Sequence, residues 1–374
     1  MNFELSDEQA MVRAASRDLL ADHTPVDRLR AGFDTDTDTE LWSAAAELGW
    51  AGLALPEEYG GTGLGLVELA LVAEETGRAL GRVPLLPTAV VGRALAATAP
   101  ATLADEVLPA LAAGSAWAAW AFAEPRAPWS LDGVHATARD SADGTGYVLD
   151  GVKTAVQDAG GARWLLVTAR HDGVPASFLV DRTAPGVTVR RQQVLDLTRA
   201  FYEVRLDGVQ VIADRRLHAG PAEIQRLLDE AAVLHCADAL GVMERMLELT
   251  VEHTSARVQF GRPIGTFQAV KHACADMALL VHGTRAATSY AAMAADTDSP
   301  DADRAACAAA SHASASAGEV AARALQLHGG IGFTWEHDLH LYLRRARADS
   351  VLYGDAGVHR ERLLTLLRRS PASI

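Results

Sequence analysis

Three groups of residues in this chain have types and spacings that can do chemistry. Arg257, Phe260 and Gln268 sit together in SARVQFGRPIGTFQAVKH. An arginine can pair with a pyrophosphate oxygen as a planar, permanently charged donor, while an aromatic ring and an amide can pack on and hydrogen-bond an adenosine group. Gln326 and Leu327 lead into Gly329 and Gly330, where the missing Cβ lets a ligand come close to the backbone. The third group is acidic: Asp355 in the turn YGDA, and Asp229 with Glu230 in a long helical segment. A positioned carboxylate that removes a proton contributes about 10² to 10⁴-fold to a rate. Each group also has a plain reading. Arg257 can be a solvated helix-end cation and Gly329-Gly330 a helix break. Asp229 and Glu230 can stabilise a helix N-terminus, and Asp355 can bond its own backbone. His337 and His340 share a helix face, but no cysteine, carboxylate or further histidine completes a coordination set, so no metal is expected.

The elements that must position these residues follow from periodicity. From Ser6 to about Ala113 the pattern is helical, opening on Ser6 and Gln9 as a capping box, with Gly49 closing a short helix over 40–48. Near Ser115 the composition changes. Short runs rich in β-formers follow at 117–123, 147–150, 164–169, 177–180, 187–192 and 201–211. In the last of these Tyr202, Val204 and Leu206 alternate with Glu203 and Arg205, as a half-buried strand requires. From Pro221 onward the pattern is again helical, broken at 261–265, at 296–300 and at Gly329-Gly330, with Ser299 and Pro300 expected as a cap and a first-turn proline. The expected fold is α+β: a helical domain over 1–114, a β-barrel or sandwich domain over 115–215, and a C-terminal four-helix bundle over 216–374.

Composition narrows the classes of function. With 374 residues and 49% hydrophobic content, the chain can bury a substantial core. A net charge of -14 argues against nucleic acid as a partner, although a local basic pocket remains compatible with a phosphorylated ligand. No apolar run is long enough to span a membrane and the N-terminus has no signal core, so a cytoplasmic location is expected. Cys236, Cys274 and Cys307 match no metal or redox spacing and read as small core residues.

The stretch QLHGGIGFTWEHDLHLYLRRARADSVLYGDAGVHR, Gln326 to Arg360, resembles the C-terminal signature of the acyl-CoA dehydrogenase family. SARVQFGRPIGTFQAVKH resembles the same family's R-x-x-F-G...Q pattern, and LGWAGLALPEEYGGTGLGLVELALVAEETGRAL its N-terminal helical domain. The resemblance spans almost the whole chain. It implies FAD as cofactor, an acyl-CoA substrate desaturated between its α and β carbons, and an oligomer in which Arg257, Phe260, Gln268, Gln326, Leu327, Gly329 and Gly330 reach the ADP half of a flavin held by a neighbouring subunit. It also implies an electron-transferring flavoprotein as redox partner.

Three motifs depart from the family pattern. The T-E-P-G-x-G-S-D loop reads AEPRAPWS, with Ala123 where a threonine would bond the flavin ring. K-x-W-I-T-N reads KTAVQD, with Ala155 for the tryptophan and Gln157 for the threonine. The Y-E-G-T turn that carries the base reads Tyr353, Gly354, Asp355, Ala356, and the alternative helical base position is Ala231. Asp355 and Glu230 are the candidate replacements, although one residue along a helix turns a side chain by about 100°. His359 and Arg360 follow, where Arg360 can attract an anionic part of CoA or both can lie on a solvated helix face. Two assemblies are therefore open. One is a homotetramer that oxidises acyl-CoA by itself. The other is a heterotetramer in which this chain supplies the ADP-side residues and a related subunit supplies the ring site and base. A flavin-dependent hydroxylase, or a flavin-free CoA-ester binding protein of the same fold, is a further alternative.

Overall fold

Local hydrogen bonding starts the chain as its sequence predicts. Ser6 Oγ accepts the Gln9 N–H at 3.1 Å and Gln9 Oε1 accepts the Ser6 N–H at 3.0 Å, which closes the capping box of α1 (Asp7–His23). The computed structural model describes residues 3–31, 33 and 35–369. After α1 come α2 (Val26–Ala31), α3 (Thr39–Glu47), α4 (Leu66–Ala79), α5 (Leu85–Thr98) and α6 (Ala101–Ala112). Their apolar faces, including Leu41, Trp42, Val72, Leu95 and Leu108, meet in one buried cluster that continues into the C-terminal helices.

The middle of the chain is a sheet of β1 (Ala118–Ala121), β2 (Thr137–Asp140), β3 (Gly146–Gln157), β4 (Trp164–His171), β5 (Val174–Asp181), β6 (Val187–Arg191) and β7 (Phe201–Ile212). The order is β1-β4-β2-β3-β7-β6, with β5 paired to β4. Tyr202, Val204 and Leu206 point into its core, as the alternation predicts, and past Gly208, at φ +63°, the phase changes so that Val209 and Val211 also face inward. Strand β2 was not expected, because TARD buries only Ala138 and carries no run of β-formers. Strand β3 runs beyond the expected Asp150. Register shifts between Leu149 and Gly151 and between Lys153 and Val156 bend it, so it pairs with β7 as far as Gln157.

The C-terminal part holds α7 (Pro221–Ala256), a short hairpin of β8 (Val258–Gln259) and β9 (Arg262–Pro263), then α8 (Gln268–Asp296), α9 (Ala302–His328), α10 (Leu339–Asp349) and α11 (Ala356–Arg369). Helices α7, α8, α9 and α11 form the bundle, and α10 packs across α7 and α9. Helix α9 starts at Ala302 rather than at the expected Pro300. Ser299 Oγ instead accepts the Asp301 N–H at 3.3 Å, so Ser299 orders the turn before the helix. Gly241 marks the crossing of α7 with α4: a Cβ there would lie 1.8 Å from the Glu74 carbonyl oxygen. Cys236 and Cys307 are buried, Cys274 is half-buried, and all three are free. Among the described residues no helix is long and apolar enough to cross a membrane.

A buried ionic network ties the sheet to the bundle. Asp238 of α7 accepts from Arg199, in the loop before β7, at 2.5 Å and from Arg345 of α10 at 2.6 and 3.0 Å. Arg199 also reaches Asp349 at 2.6 Å, and Arg345 donates to Thr198 Oγ1 at 3.0 Å. With two arginines on it, Asp238 is held well below the usual carboxylate range despite its burial. Burial pushes Asp349 well above that range, and the Arg199 charge only partly offsets it.

Candidate active site

The turn after α10 holds Tyr353, Gly354 and Asp355, where the sequence resemblance puts the base. Tyr353 is at φ +58° and Gly354 at φ +113°. Asp355 is exposed, and its Oδ1 accepts the backbone N–H groups of Gly357 at 2.8 Å and Val358 at 2.9 Å, capping α11. A side chain on Gly354 would start 2.9 Å from His359 Nε2. His359 is buried, not on a solvated face, because α11 packs against α9. Burial, followed by the nearby Arg362, lowers its pKa. Arg360 is exposed and donates to Ser311 Oγ at 3.1 Å. His359 and Gly354 line a cavity of 10 Å³ with His235, Asp349 and Leu352, room for about one water. Burial, then Arg199, pushes His235 down to about 3, so this cavity is walled by neutral imidazoles.

Glu230 lies on α7 and is gripped by Arg93 of α5. Nε donates to Oε2 at 2.7 Å and Nη2 to Oε1 at 3.2 Å. Asp229 faces another way and is held by both terminal nitrogens of Arg362 from α11. Ala231 is fully buried. The carboxylates of both candidate bases are thus engaged, Asp355 by backbone and Glu230 by a guanidinium. Arg93 was not singled out from the sequence, although a signal existed: it is the one charged residue of α5, LLPTAVVGRALAAT.

Aromatic side chains cover the same turn. Tyr353 packs on Trp129 with ring centroids 4.6 Å apart, on His235 at 4.8 Å and on Trp120 at 6.1 Å. Trp129 belongs to the AEPRAPWS loop, so the altered loop places an indole beside the altered turn. Glu124 of that loop is structural. Its Oε1 accepts from Lys153 Nζ at 2.6 Å and from the N–H groups of His135 and Ala136 at 2.9 and 2.8 Å. Lys153 is fully buried, and the loss of hydration pulls it down to about 8. Ala123 is buried, and its carbonyl accepts the Thr154 N–H at 2.9 Å. The Ala155 N–H is taken by Gln192 Oε1 at 2.9 Å, an interaction the sequence did not reveal. Gln157 is buried beside Asp158, whose carboxyl is pushed up to about 7, first by burial.

The ADP-side candidates behave differently. Arg257 ends α7 and is exposed, as are Gln268 and Gln326. Phe260 stands at the tip of the β8–β9 hairpin, 91% exposed and at φ +52°. A Cβ on Gly329 or Gly330 would meet nothing within 4 Å, and Leu327 anchors the turn by packing into the bundle. His253 and His328 stack with centroids 4.5 Å apart, which brings the ends of α7 and α9 together and puts Arg257 and the glycine turn on one surface. His337 packs edge-on against His328 at 4.8 Å and His340 against Trp335 at 4.7 Å. Among the described residues no group of histidine, cysteine or carboxylate side chains could hold a metal.

These surfaces test whether the chain fits FAD. The ADP-side set fits, with an exposed guanidinium, an exposed aromatic ring and open glycine backbone. The ring-side set of this chain does not, because the Ala155 N–H is occupied, the loop glycines are replaced and Trp129 covers the turn. Ala313, which lines the cavity with Gly354, and Gly329 bracket most of the second half of α9. At 1.5 Å per residue that is about 24 Å. A concavity of 810 Å³ lies elsewhere, between α5, the start of α7 and the loop before α4, with Leu55, Ala94, Ala97, Ile224 and Leu227 in its walls beside Arg93 and Glu230.

Comparison with known proteins gives a consistent picture. Family models match in three consecutive pieces: the acyl-CoA dehydrogenase N-terminal domain over residues 6–115, the middle domain over 119–209 and the C-terminal domain over 218–365. The chain is 35% identical over 349 residues to acyl-CoA dehydrogenase IpdE2 of Mycobacterium tuberculosis, covering 92% of this chain and 93% of that protein. Among solved structures it is similar to the steroid ACAD Tcur3481-Tcur3483, with TM-score 0.88 and 35% identity over 97% of this chain and 98% of that one. It is also similar to a chain of the ChsE4-ChsE5 complex from Mycobacterium tuberculosis, with TM-score 0.92 and 28% identity over the whole of both chains.

Proposed function

Because the chain belongs to the acyl-CoA dehydrogenase family of oxidoreductases, we propose that it serves acyl-CoA α,β-desaturation as one subunit of a heteromeric enzyme, lending the ADP side of a FAD site whose ring side and base come from a related chain. The observation that carries this reading is the fate of the base: Gly354 offers no side chain, Asp355 caps α11 and Glu230 is held by Arg93. A base must lie within hydrogen-bond reach of the proton it removes, and the two carboxylates are already oriented elsewhere, Asp355 Oδ1 by two backbone N–H groups and both Glu230 oxygens by Arg93. Two of the structural relatives, Tcur3481-Tcur3483 and ChsE4-ChsE5, are named as pairs of chains, which supports the same direction. FAD, when bound, takes the hydride that leaves the acyl β-carbon. This chain's part is to pair a pyrophosphate oxygen through Arg257, pack an adenosine face with Phe260 and present the Gly329-Gly330 backbone. The redox partner that the family resemblance implies is an electron-transferring flavoprotein.

Flavin content tests the proposal. The chain expressed alone is expected to purify with little flavin and to show no bleaching with acyl-CoA, whereas co-expression with a homologous acyl-CoA dehydrogenase chain from its own genome restores a yellow, bleachable complex. Stoichiometric flavin in the isolated chain, rapidly reduced by an acyl-CoA, would overturn it.

A further inference from the structure

Three imidazoles meet behind the segments proposed for the ADP side. His328, the last residue of α9, stacks on His253, near the end of α7, at 4.5 Å between centroids and 22° between planes. His337, from the turn before α10, packs edge-on against His328 at 4.8 Å, and His253 and His337 are themselves 6.5 Å apart. Through these contacts His328 ties the chain entering Gly329 to the helix that ends just before Arg257. A shift of the central ring is passed to both segments within a few residues.

The stack is built for uncharged rings. His328 is buried, and its Nδ1 lies 2.8 Å from the Ala324 carbonyl oxygen, which can only accept. Nδ1 therefore carries the proton, and Nε2, buried without a hydrogen bond, is where a second proton would go. Burial first, then the two neighbouring imidazoles, outweigh the Ala324 and Leu249 carbonyls and hold His328 below the ordinary histidine value. Burial, followed by His337 and Arg257, does the same to His253. With both folded values below about 6.5, the neutral stack is complete above that pH and is lost as pH falls beneath it.

The surrounding charges do not rescue the protonated form. Helix α7 brings Arg257 toward His253, and α8 brings Cys274 beside Thr254, a thiol that burial keeps neutral. The turn carries Glu336, which is exposed, and Asp338, which accepts from Arg30 of α2 at 2.9 Å. Helix α10 carries Arg344 and His340, and burial, then Arg344, lowers His340 as well. A pyrophosphate paired with the exposed Arg257 would favour a nearby positive charge, but through water and salt that screen it. Repulsion between protonated rings acts at contact around a buried imidazole, where screening is weak, so repulsion wins.

Resting on the ADP-side role given above, we propose that His328 is a positioning residue for the ADP half of the flavin, and that protonation of the His253, His328 and His337 stack releases FAD.

The test uses the full chain in its flavin-binding oligomer, formed alone or with a related chain. The oligomer is stripped of flavin and titrated into FAD at about pH 7.5 and about pH 5, with fluorescence quenching as the readout and circular dichroism confirming the fold at each pH. The wild-type dissociation constant is expected to rise at least about tenfold at the lower pH. His328→Phe keeps a flat ring between the other two and offers them an aromatic face, which attracts a cation, so the ratio of its two constants is expected to fall below about twofold. His337→Gln, at a half-buried position where an amide oxygen can still accept the Leu339 N–H, removes one of the two contacts on His328 and is expected to bring the ratio below about fivefold. It decides the matter if His328→Phe does not fold. A merely structural histidine would change affinity equally at both pH values.

Equal or tighter FAD binding by the wild type at the lower pH, or an undiminished ratio in a folded variant, would overturn the inference. Bleaching of the isolated chain by an acyl-CoA would overturn the heteromeric reading and leave this inference standing, because the same segments face FAD in either assembly. FAD binding unaffected by Arg257→Ala at both pH values would overturn the ADP-side role and this inference with it.

Discussion

At the scale of single residues, Gly354 is fixed by its surroundings as well as by its backbone. Its φ of +113° strains any side chain, and the first atom of that side chain would press on His359 at 2.9 Å. Gly354→Ala is therefore expected to cost roughly 1–3 kcal/mol, read from denaturant unfolding. Gly354→Glu, which rewrites the usual motif, is expected to destabilise the chain similarly and to give no acyl-CoA-dependent bleaching; a gain of bleaching would count against the arrangement described here. Asp158 gives a pH signature. With its carboxyl pushed up to about 7, chiefly by burial, the folded chain keeps a proton that the unfolded chain has released. That stabilisation is complete below about pH 4 and is lost as pH rises through about 7. Unfolding midpoints across this range should fall less for Asp158→Asn than for the wild type. Local roles were readable beforehand: Asp355 on its own backbone is a short-range bond that a turn sequence suggests. The Arg93–Glu230 pair joins residues separated by 137 positions, and nothing in either segment names the other.

At the scale of elements, the contact between sheet and bundle depends on Asp238. Removing its charge leaves Arg199 and Arg345 buried without their shared acceptor, and breaking a buried pair from one side costs about 3–5 kcal/mol. Asp238→Ala should lose about that much in equilibrium unfolding, while Arg28→Ala, at a more exposed pair with Asp38, should lose about 1 kcal/mol or less. The elements themselves were legible where one face is consistently apolar or a cap is local, as in α1 with its Ser6 box and β7 with its alternation. They were illegible where tertiary pairing overrides composition. Strand β2 is polar and exists because β3 and β4 flank it. Strand β3 continues past its β-forming run because β7 supplies the partners.

At the scale of the whole molecule, the segments proposed for the ADP side carry exposed apolar side chains: Phe260 in the β8–β9 hairpin, and Ile331 and Phe333 in the turn after α9. Single exposed hydrophobics need no explanation, but three in segments that also carry an exposed arginine and open glycines fit surfaces that another molecule covers. Phe260→Ala and Arg257→Ala are each expected to lower the flavin retained by the co-purified complex, measured by absorbance after gel filtration, without changing the unfolding midpoint of this chain. Their motif was legible in the sequence because it is contiguous. The state of the ring side was only half legible: the replaced residues were visible, but that Gln192 takes the Ala155 N–H and that Trp129 packs on Tyr353 depend on the folded chain.

Helix α9 separates these two surfaces by a rigid rod of about 24 Å. Damage at one end therefore need not be felt at the other, so the two ends can be inherited, lost and compensated as independent units. In genetic terms the fold is suited to complementation: two copies, each defective at a different end, can together present one intact set of residues. After duplication of such a gene, each copy could shed one end without penalty as long as the other copy kept it, and the pair would then be bound to remain together.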